Sequence, residues 1–108
     1  MIRALLLAIL VPLNAFALSP AGQEFLQIAK ELEPAQCKKR QLRRQIVLAD
    51  AEQRGADARK LREDFSRIDR DPKVARLEKR LAELEKRVTK DDLPEINRQH
   101  VEAFYRCE

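Results

Sequence analysis

The residues best suited to chemistry in this sequence are its two cysteines, Cys37 and Cys107. Redox and zinc sites favour a pair separated by only two residues, which these are not. The single histidine, His100, cannot complete a tetrahedral site. We therefore predict no metal site and no cofactor. Because an even number of cysteines is typical of exported proteins with structural disulfides, the sequence predicts a Cys37–Cys107 bond.

Groups that could act as nucleophiles or acid–base catalysts are scarce. Ser19 and Ser66 have no neighbouring histidine, and one histidine leaves no acid–base pair. The carboxylates of residues 78–92 alternate with lysines and arginines, a pattern typical of a solvated helix surface. His100 lies on an apolar stripe, which predicts a packed imidazole. The sequence therefore predicts that the protein is not an enzyme.

The first 17 residues carry the pattern of a cleaved export signal. A positively charged start precedes an apolar run over residues 4–13, and Ala15 and Ala17 are the small residues that signal peptidase requires. A membrane-spanning helix needs about 20 apolar residues, whereas this run is shorter and contains Pro12. We predict cleavage after Ala17, localisation in the periplasm, and one helical domain over residues 18–108.

A cluster of basic residues is the strongest local charge feature. Residues 37–62 hold nine basic and three acidic side chains. Helical spacing places four of them on one arc, namely Lys39, Arg40, Arg43 and Arg44. This basic arc predicts either binding to an anionic partner, such as lipopolysaccharide phosphates, or a role in solubility and in covering apolar surface. Export and the lack of aromatic residues in this stretch argue against nucleic acid.

The composition favours long exposed helices. The chain is 44% hydrophobic and 37% charged, with only two glycines. Its abundant Ala, Leu, Glu, Lys and Arg are strong helix formers, so we predict an all-α fold. The predicted helices cover residues 20–33, 35–69, 72–89 and 92–107.

Capping residues and prolines set these predicted boundaries. Ser19–Pro20 is a typical helix start, and Pro34 is expected to end the first helix or to bend it sharply. Asp71–Pro72 is the clearest break in the chain and predicts the start of the third helix. Asp92 followed by Glu95 resembles a capping box at the start of the last helix.

The break at Asp71–Pro72 coincides with the midpoint of the two cysteines. If the chain reverses there, two arms of about 35 residues, each roughly 50 Å long, bring Cys37 and Cys107 to the same height. This predicts a coiled-coil-like antiparallel hairpin stapled by the disulfide. A heptad row, expected to pack within the chain, contains Val74, Leu77, Leu81, Leu84 and Val88. The short first helix is expected to cover the open end against Leu42, Ile46 and the Phe104–Tyr105 region.

This plan, a short exported helical hairpin rich in charge, resembles the small periplasmic chaperones of the Spy type. The resemblance concerns architecture, because their paired LTxxQ motifs are absent and no functional residue carries over. We predict a non-catalytic protein that binds a protein partner, in envelope assembly or a chaperone-like role. A membrane-anchored protein similar to a phage inner-membrane spanin is the alternative, and homodimerisation stays open.

Overall fold

A computed structural model describes residues 17–107, and within that range the chain is helical without strands. Four α-helices and one 3₁₀ turn follow in the order α1 (Pro20–Ala51), α2 (Gly55–Asp69), α3 (Pro72–Glu85), the turn Lys90–Asp92, and α4 (Leu93–Arg106). The predicted all-α fold is confirmed. Residues 1–16 of the predicted export signal, which covers residues 1–17, lie outside the described residues.

Helix α1 is one continuous helix of 32 residues, about 48 Å long. Its start is as predicted: the hydroxyl of Ser19 accepts a hydrogen bond of 3.0 Å from the backbone N–H of Gly22. The prediction that Pro34 ends this helix is wrong. Pro34 is exposed, whereas Leu32 and Leu42 on either side of it are buried. Packing against other helices on both sides of the proline therefore outweighs its cost to the helix.

The chain reverses at Glu52–Arg54, not at Asp71–Pro72 as predicted. The backbone N–H of Gln53 donates to Asp50 O at 3.1 Å, and that of Arg54 donates to Ala49 O at 2.8 Å. These two bonds form a Schellman motif, in which Gln53 adopts the left-handed conformation with φ of 58°. Glycine usually occupies this position, and without it the turn has no clear signal among residues 52–54.

Helices α2 and α3 run back along α1, one after the other. Asp71 separates them and caps α3, because its side chain accepts hydrogen bonds from the backbone N–H groups of Lys73 and Val74 at 2.9 and 3.1 Å. The core lies between α1 and α3 and is formed by Ile28, Leu32 and Leu84, with Ala21, Phe25, Val74, Leu77 and Leu81 packed around them. The prediction that the heptad row packs within the chain is confirmed for four of its members, Val74, Leu77, Leu81 and Leu84.

A second reversal, at residues 86–92, sends α4 back beside the first half of α1. Three contacts show that the two helices run parallel in a nearly constant register. They join Ser19 to Asp92, Glu33 to Arg106, and Cys37 to Cys107. The part of α1 up to Arg40 is therefore flanked by α3 and α4, whereas the part that follows lies beside α2.

Candidate binding site

One end of α4 is fastened to α1 by a disulfide and an ion pair. Cys37 and Cys107 are bonded with their Cα atoms 5.6 Å apart, which confirms the predicted pairing. The two cysteines meet by a different route from the predicted one. The reversal at residues 86–92, rather than one at Asp71–Pro72, brings Cys107 at the end of α4 beside Cys37 in α1. Next to the disulfide, Arg106 donates two hydrogen bonds of 3.0 Å to the carboxylate of Glu33. These bonds hold the pKa of Glu33 below its ordinary value.

The other end of α4 is fastened by Asp92, whose residue surface is 1% exposed. Its carboxylate accepts hydrogen bonds from the Ser19 N–H at 2.8 Å, the Ser19 hydroxyl at 2.5 Å and the Thr89 N–H at 2.9 Å. These bonds, the one from the Ser19 hydroxyl most of all, lower the pKa of Asp92 to about 2. A Cβ on Gly22 would lie 2.7 Å from Asp92 Cγ, so only glycine permits this approach.

The predicted capping box of Asp92 and Glu95 is wrong. Asp92 instead closes a capping box with Thr89, at the start of the 3₁₀ turn. The Glu95 carboxylate accepts hydrogen bonds from Arg98 and Gln99 in the same helix, and these lower its pKa to about 2. Because Asp92 contacts Ser19 across 73 positions of sequence, a local motif could not reveal its role.

The predicted basic arc is divided, because Lys39 belongs to the interior rather than to an exposed surface. Lys39 is only 8% exposed, and its amine donates to Asp69 at 2.9 Å and to Glu78 at 3.2 Å. Burial opposes the charge on Lys39, but the two carboxylates outweigh it and raise the pKa of the amine. Asp69 ends α2 and Glu78 lies in α3, so Lys39 joins both helices to α1. Its assignment as an anion-binding residue is therefore wrong.

The three arginines of the arc lie nearer the surface. The guanidinium of Arg40 lies 4.9 Å from the centre of the Phe104 ring, and that of Arg43 lies 5.3 Å from the Phe65 ring. Both contacts are of the cation–π kind. Arg43 and Arg44 are exposed, whereas Arg40 is partly buried. Anion binding by these arginines stays a prediction.

Helix α4 exposes an apolar surface next to Arg40. Val101, Phe104 and Tyr105, hereafter the α4 edge, are all exposed, with Tyr105 at 75%. Their spacing of three and four residues places them on one side of the helix, whereas Ile96 on another side is buried. The predicted short first helix was expected to cover the Phe104–Tyr105 region. This expectation is wrong, because that helix continues to Ala51 as part of α1 and leaves Phe104 and Tyr105 exposed.

The side of α1 that faces α4 also continues beyond the end of α4. Residues on this side recur at spacings of three and four, and they include Gly22, Leu26, Ala29, Glu33, Gln36 and Arg40. Arg44, Val47 and Ala51 extend the same spacing, with Leu48 beside them, and all four are exposed. We call these four residues the open row. Val47 is 65% exposed, so the open row offers apolar surface flanked by arginine.

A cavity of about 380 Å³ lies between α1 and α4 and is bordered by α3. Phe25, Leu81 and Ile96 supply apolar walls, and Arg40 and Arg106 lie at the end nearer the disulfide. The Nη1 atom of Arg40 is shielded from solvent and has no hydrogen-bond partner within residues 17–107. A buried donor without an acceptor is uncommon in folded proteins.

The predicted packing of His100 is wrong, because this residue is exposed at the border of the cavity. Between residues 17 and 107, no group of three or more His, Cys, Asp or Glu side chains is arranged to hold a metal ion. None of the helices in that part of the chain combines the length and hydropathy needed to cross a bilayer. No protein-family model, curated protein or solved structure matches the chain.

Proposed function

We propose that this chain is an exported, non-catalytic binding protein that docks an acidic amphipathic helix of a partner protein. The docking surface consists of the α4 edge and the open row. The observation that carries the proposal is the continuation of the α4-facing side of α1 into exposed apolar residues, of which Val47 is 65% exposed. A partner helix placed there would extend the packing that α4 makes with the first half of α1.

The apolar content of the surface supports a protein partner. Monomeric proteins rarely leave neighbouring large apolar side chains exposed unless the surface binds something. Amphipathic helices bind such surfaces through apolar residues spaced by three, four and seven positions. The open row presents Arg44, Val47 and Ala51 at this spacing, so it suits a helix that lies along α1.

The charge around the surface supports an acidic partner. Two arginines of α1 connect the α4 edge with the open row. Arg40 lies beneath Phe104, Arg44 follows one turn further along the helix, and Arg43 lies beside them. The acidic residues adjacent to the surface are already paired within the chain: Asp50 with Arg62, Glu52 with Arg54, and Glu102 with Arg98. Carboxylates on a partner helix would pair with the arginines and increase the rate of association.

The disulfide and the contacts at the start of α1 support the proposed export. A protein secreted into the periplasm meets an oxidising environment in which Cys37 and Cys107 form a stable bond. Cleavage after Ala17 would retain Leu18, whose carbonyl accepts a hydrogen bond of 3.1 Å from Gln23, and would also retain Ser19. N-terminal sequencing of the periplasmic protein should begin at Leu18. Recovery of an intact Met1 in the membrane fraction would favour the spanin-like alternative instead.

Site-specific photo-crosslinking in cells tests the docking surface. A benzophenone amino acid replaces Val47 in one variant and Tyr105 in another, and it replaces the exposed Ala75 of α3 in a control variant. We expect the first two positions to form an adduct with one protein, and the control position to form none. Mass spectrometry then locates the crosslinked segment of the partner, which should be an acidic amphipathic helix.

Binding of the purified protein to a synthetic peptide of that segment completes the test. Val47→Asp and Arg44→Glu should each weaken binding at least tenfold, because one removes apolar contact and the other reverses a charge. Lys38→Glu, at an exposed position elsewhere on α1, is the matched control. The proposal is overturned by adducts with a second copy of this chain, with many proteins at all three positions, or with lipopolysaccharide.

A further inference from the structure

We propose that the cavity between α1 and α4 binds a single-chain amphiphilic monoanion, of which a medium-chain carboxylate is the simplest form. This ligand site adjoins the docking surface for a partner helix, and Arg40 lies at the border of both. Its volume of about 380 Å³ falls at the lower end of the range typical of small-molecule sites. The alkyl chain would lie against Phe25, Leu81 and Ile96, and the carboxylate would bind Arg40.

The hydrogen-bonding state of Arg40 indicates where the anionic group binds. Arg40 borders the cavity, and its Nη1 is shielded from solvent without an acceptor among residues 17–107. The carboxylate of Glu33 lies nearby, but both of its oxygens accept hydrogen bonds from Arg106. A ligand carboxylate would form a charge-assisted hydrogen bond with the guanidinium once the Arg40 side chain turns this shielded donor towards the cavity.

The remaining charges favour a monoanion over a dianionic phosphate. The carboxylates of Glu33 and Glu85 offset two of the three cations that border the cavity, which are Lys30, Arg40 and Arg106, so a single negative charge on the ligand is balanced and a second is not. The positive charge of Arg106 is already paired with Glu33. Arg40 is therefore the guanidinium left to balance the ligand, and its position over the Phe104 ring holds it in place.

The apolar walls explain why the ligand should carry an alkyl chain. Phe25 and Leu81 are partly buried residues at the edge of the core, and Ile96 is buried. Because α4 is fastened at both ends by Asp92 and Cys107, the space between its middle and α1 persists as a cavity. Each methylene that leaves water for such a space should strengthen binding about fourfold.

Isothermal titration of the oxidised protein with decanoate, below its micellar concentration, tests the proposal. We expect one decanoate per chain, and binding of decanol, which has the same chain and no charge, at least tenfold weaker. Arg40→Met keeps an apolar stem over Phe104 but removes the donors, so it should weaken decanoate binding about tenfold and leave decanol binding unchanged. Arg43→Met is the matched control and should have no effect.

A second variant tests the cavity itself independently of Arg40. Ala103 borders the cavity, so Ala103→Leu should fill part of the space and reduce the affinity for both decanoate and decanol. Ala82→Leu, at an exposed position of α3, should leave both affinities unchanged. No binding of decanoate at about 1 mM, several molecules per chain, or insensitivity to both Arg40→Met and Ala103→Leu would overturn the proposal.

Discussion

The Asp92 carboxylate accepts hydrogen bonds from both the backbone N–H and the hydroxyl of Ser19, 73 residues earlier in the chain. Ser19 is also the N-cap of α1, since its hydroxyl accepts from the backbone N–H of Gly22. One buried carboxylate therefore connects the start of the longest helix to the start of α4. Together with the disulfide, this contact keeps α4 parallel to α1 and sets the boundaries of the cavity.

Asp92→Asn should destabilise the protein at neutral pH and have little effect in acid. The pKa of Asp92 is about 2 in the folded protein, against about 3.9 for an unfolded aspartate. Because the pKa is lower in the folded protein, the stabilisation that the ionised Asp92 carboxylate provides is complete above about pH 4. It disappears as the pH falls towards 2. Urea unfolding at pH 7 and at pH 2.5 measures this difference. Asp91→Asn, at the exposed neighbouring position, should show no such pH dependence.

Local signals in the sequence predicted the elements that depend on local contacts. The caps at Ser19 and Asp71 are formed by the expected hydrogen bonds, and the apolar row from Val74 to Leu84 packs on α1. These features could be predicted because a cap and an amphipathic row involve residues within a few positions of each other. The disulfide was also predictable, since only two cysteines were present.

Features that depend on the surroundings in three dimensions were not predictable. Pro34 is tolerated because the residues around it pack against other helices, and Gln53 occupies a position that usually requires glycine. Lys39 resembles its basic neighbours in sequence but is buried between Asp69 and Glu78. For Pro34 and Lys39 the decisive contacts are made by other helices, and for Gln53 the decisive feature is an unusual backbone conformation. Local sequence patterns show neither.

Gln53→Gly should stabilise the protein by about 1 kcal/mol, because glycine adopts the left-handed conformation without the steric cost that a side chain brings. The hydrogen bonds of the Schellman motif, from Gln53 and Arg54 to Asp50 and Ala49, involve only the backbone and would be kept. Chemical denaturation should show a higher midpoint with an unchanged slope. Glu52→Gly is the control: its φ of −91° is ordinary for any residue, so glycine there should destabilise the protein.

Lys39→Gln should lower the free energy of unfolding by about 2 kcal/mol, the range measured for hydrogen bonds to charged groups. Glutamine is shorter than lysine and cannot donate to both Asp69 and Glu78. Because both carboxylates are partly exposed, water will solvate them and limit the loss. Lys38→Gln removes the same charge from the exposed neighbouring position and should change stability by less than about 0.5 kcal/mol. Equal effects of the two substitutions would contradict the buried ion-pair arrangement.

Replacing both cysteines, with Cys37→Ser and Cys107→Ser together, should lower the free energy of unfolding by about 4 kcal/mol, the chain-entropy value for a loop of this length. The two residues are separated by 70 positions, so the open chain gains considerable freedom when unfolded. This loss is large against the stability of about 5–15 kcal/mol typical of small domains. Thermal or urea unfolding of the oxidised protein and the double variant measures it, and the reduced wild-type protein should match the variant.

The same double variant should lose order in α4 before it loses order elsewhere. Helix α4 borders a cavity along α1 instead of packing closely against it, so it relies on Asp92 at one end and on Cys107 with Arg106 at the other. Without the disulfide, the Arg106–Glu33 pair and the Arg40–Phe104 contact hold the second end, and surface contacts of these kinds contribute about 1 kcal/mol or less each. Amide hydrogen exchange should therefore accelerate over residues 97–106 while α1 and α2, which pack directly on each other, keep their protection. Uniform acceleration across all four helices would instead show that the protein unfolds as one cooperative unit and that α4 needs no separate fastening.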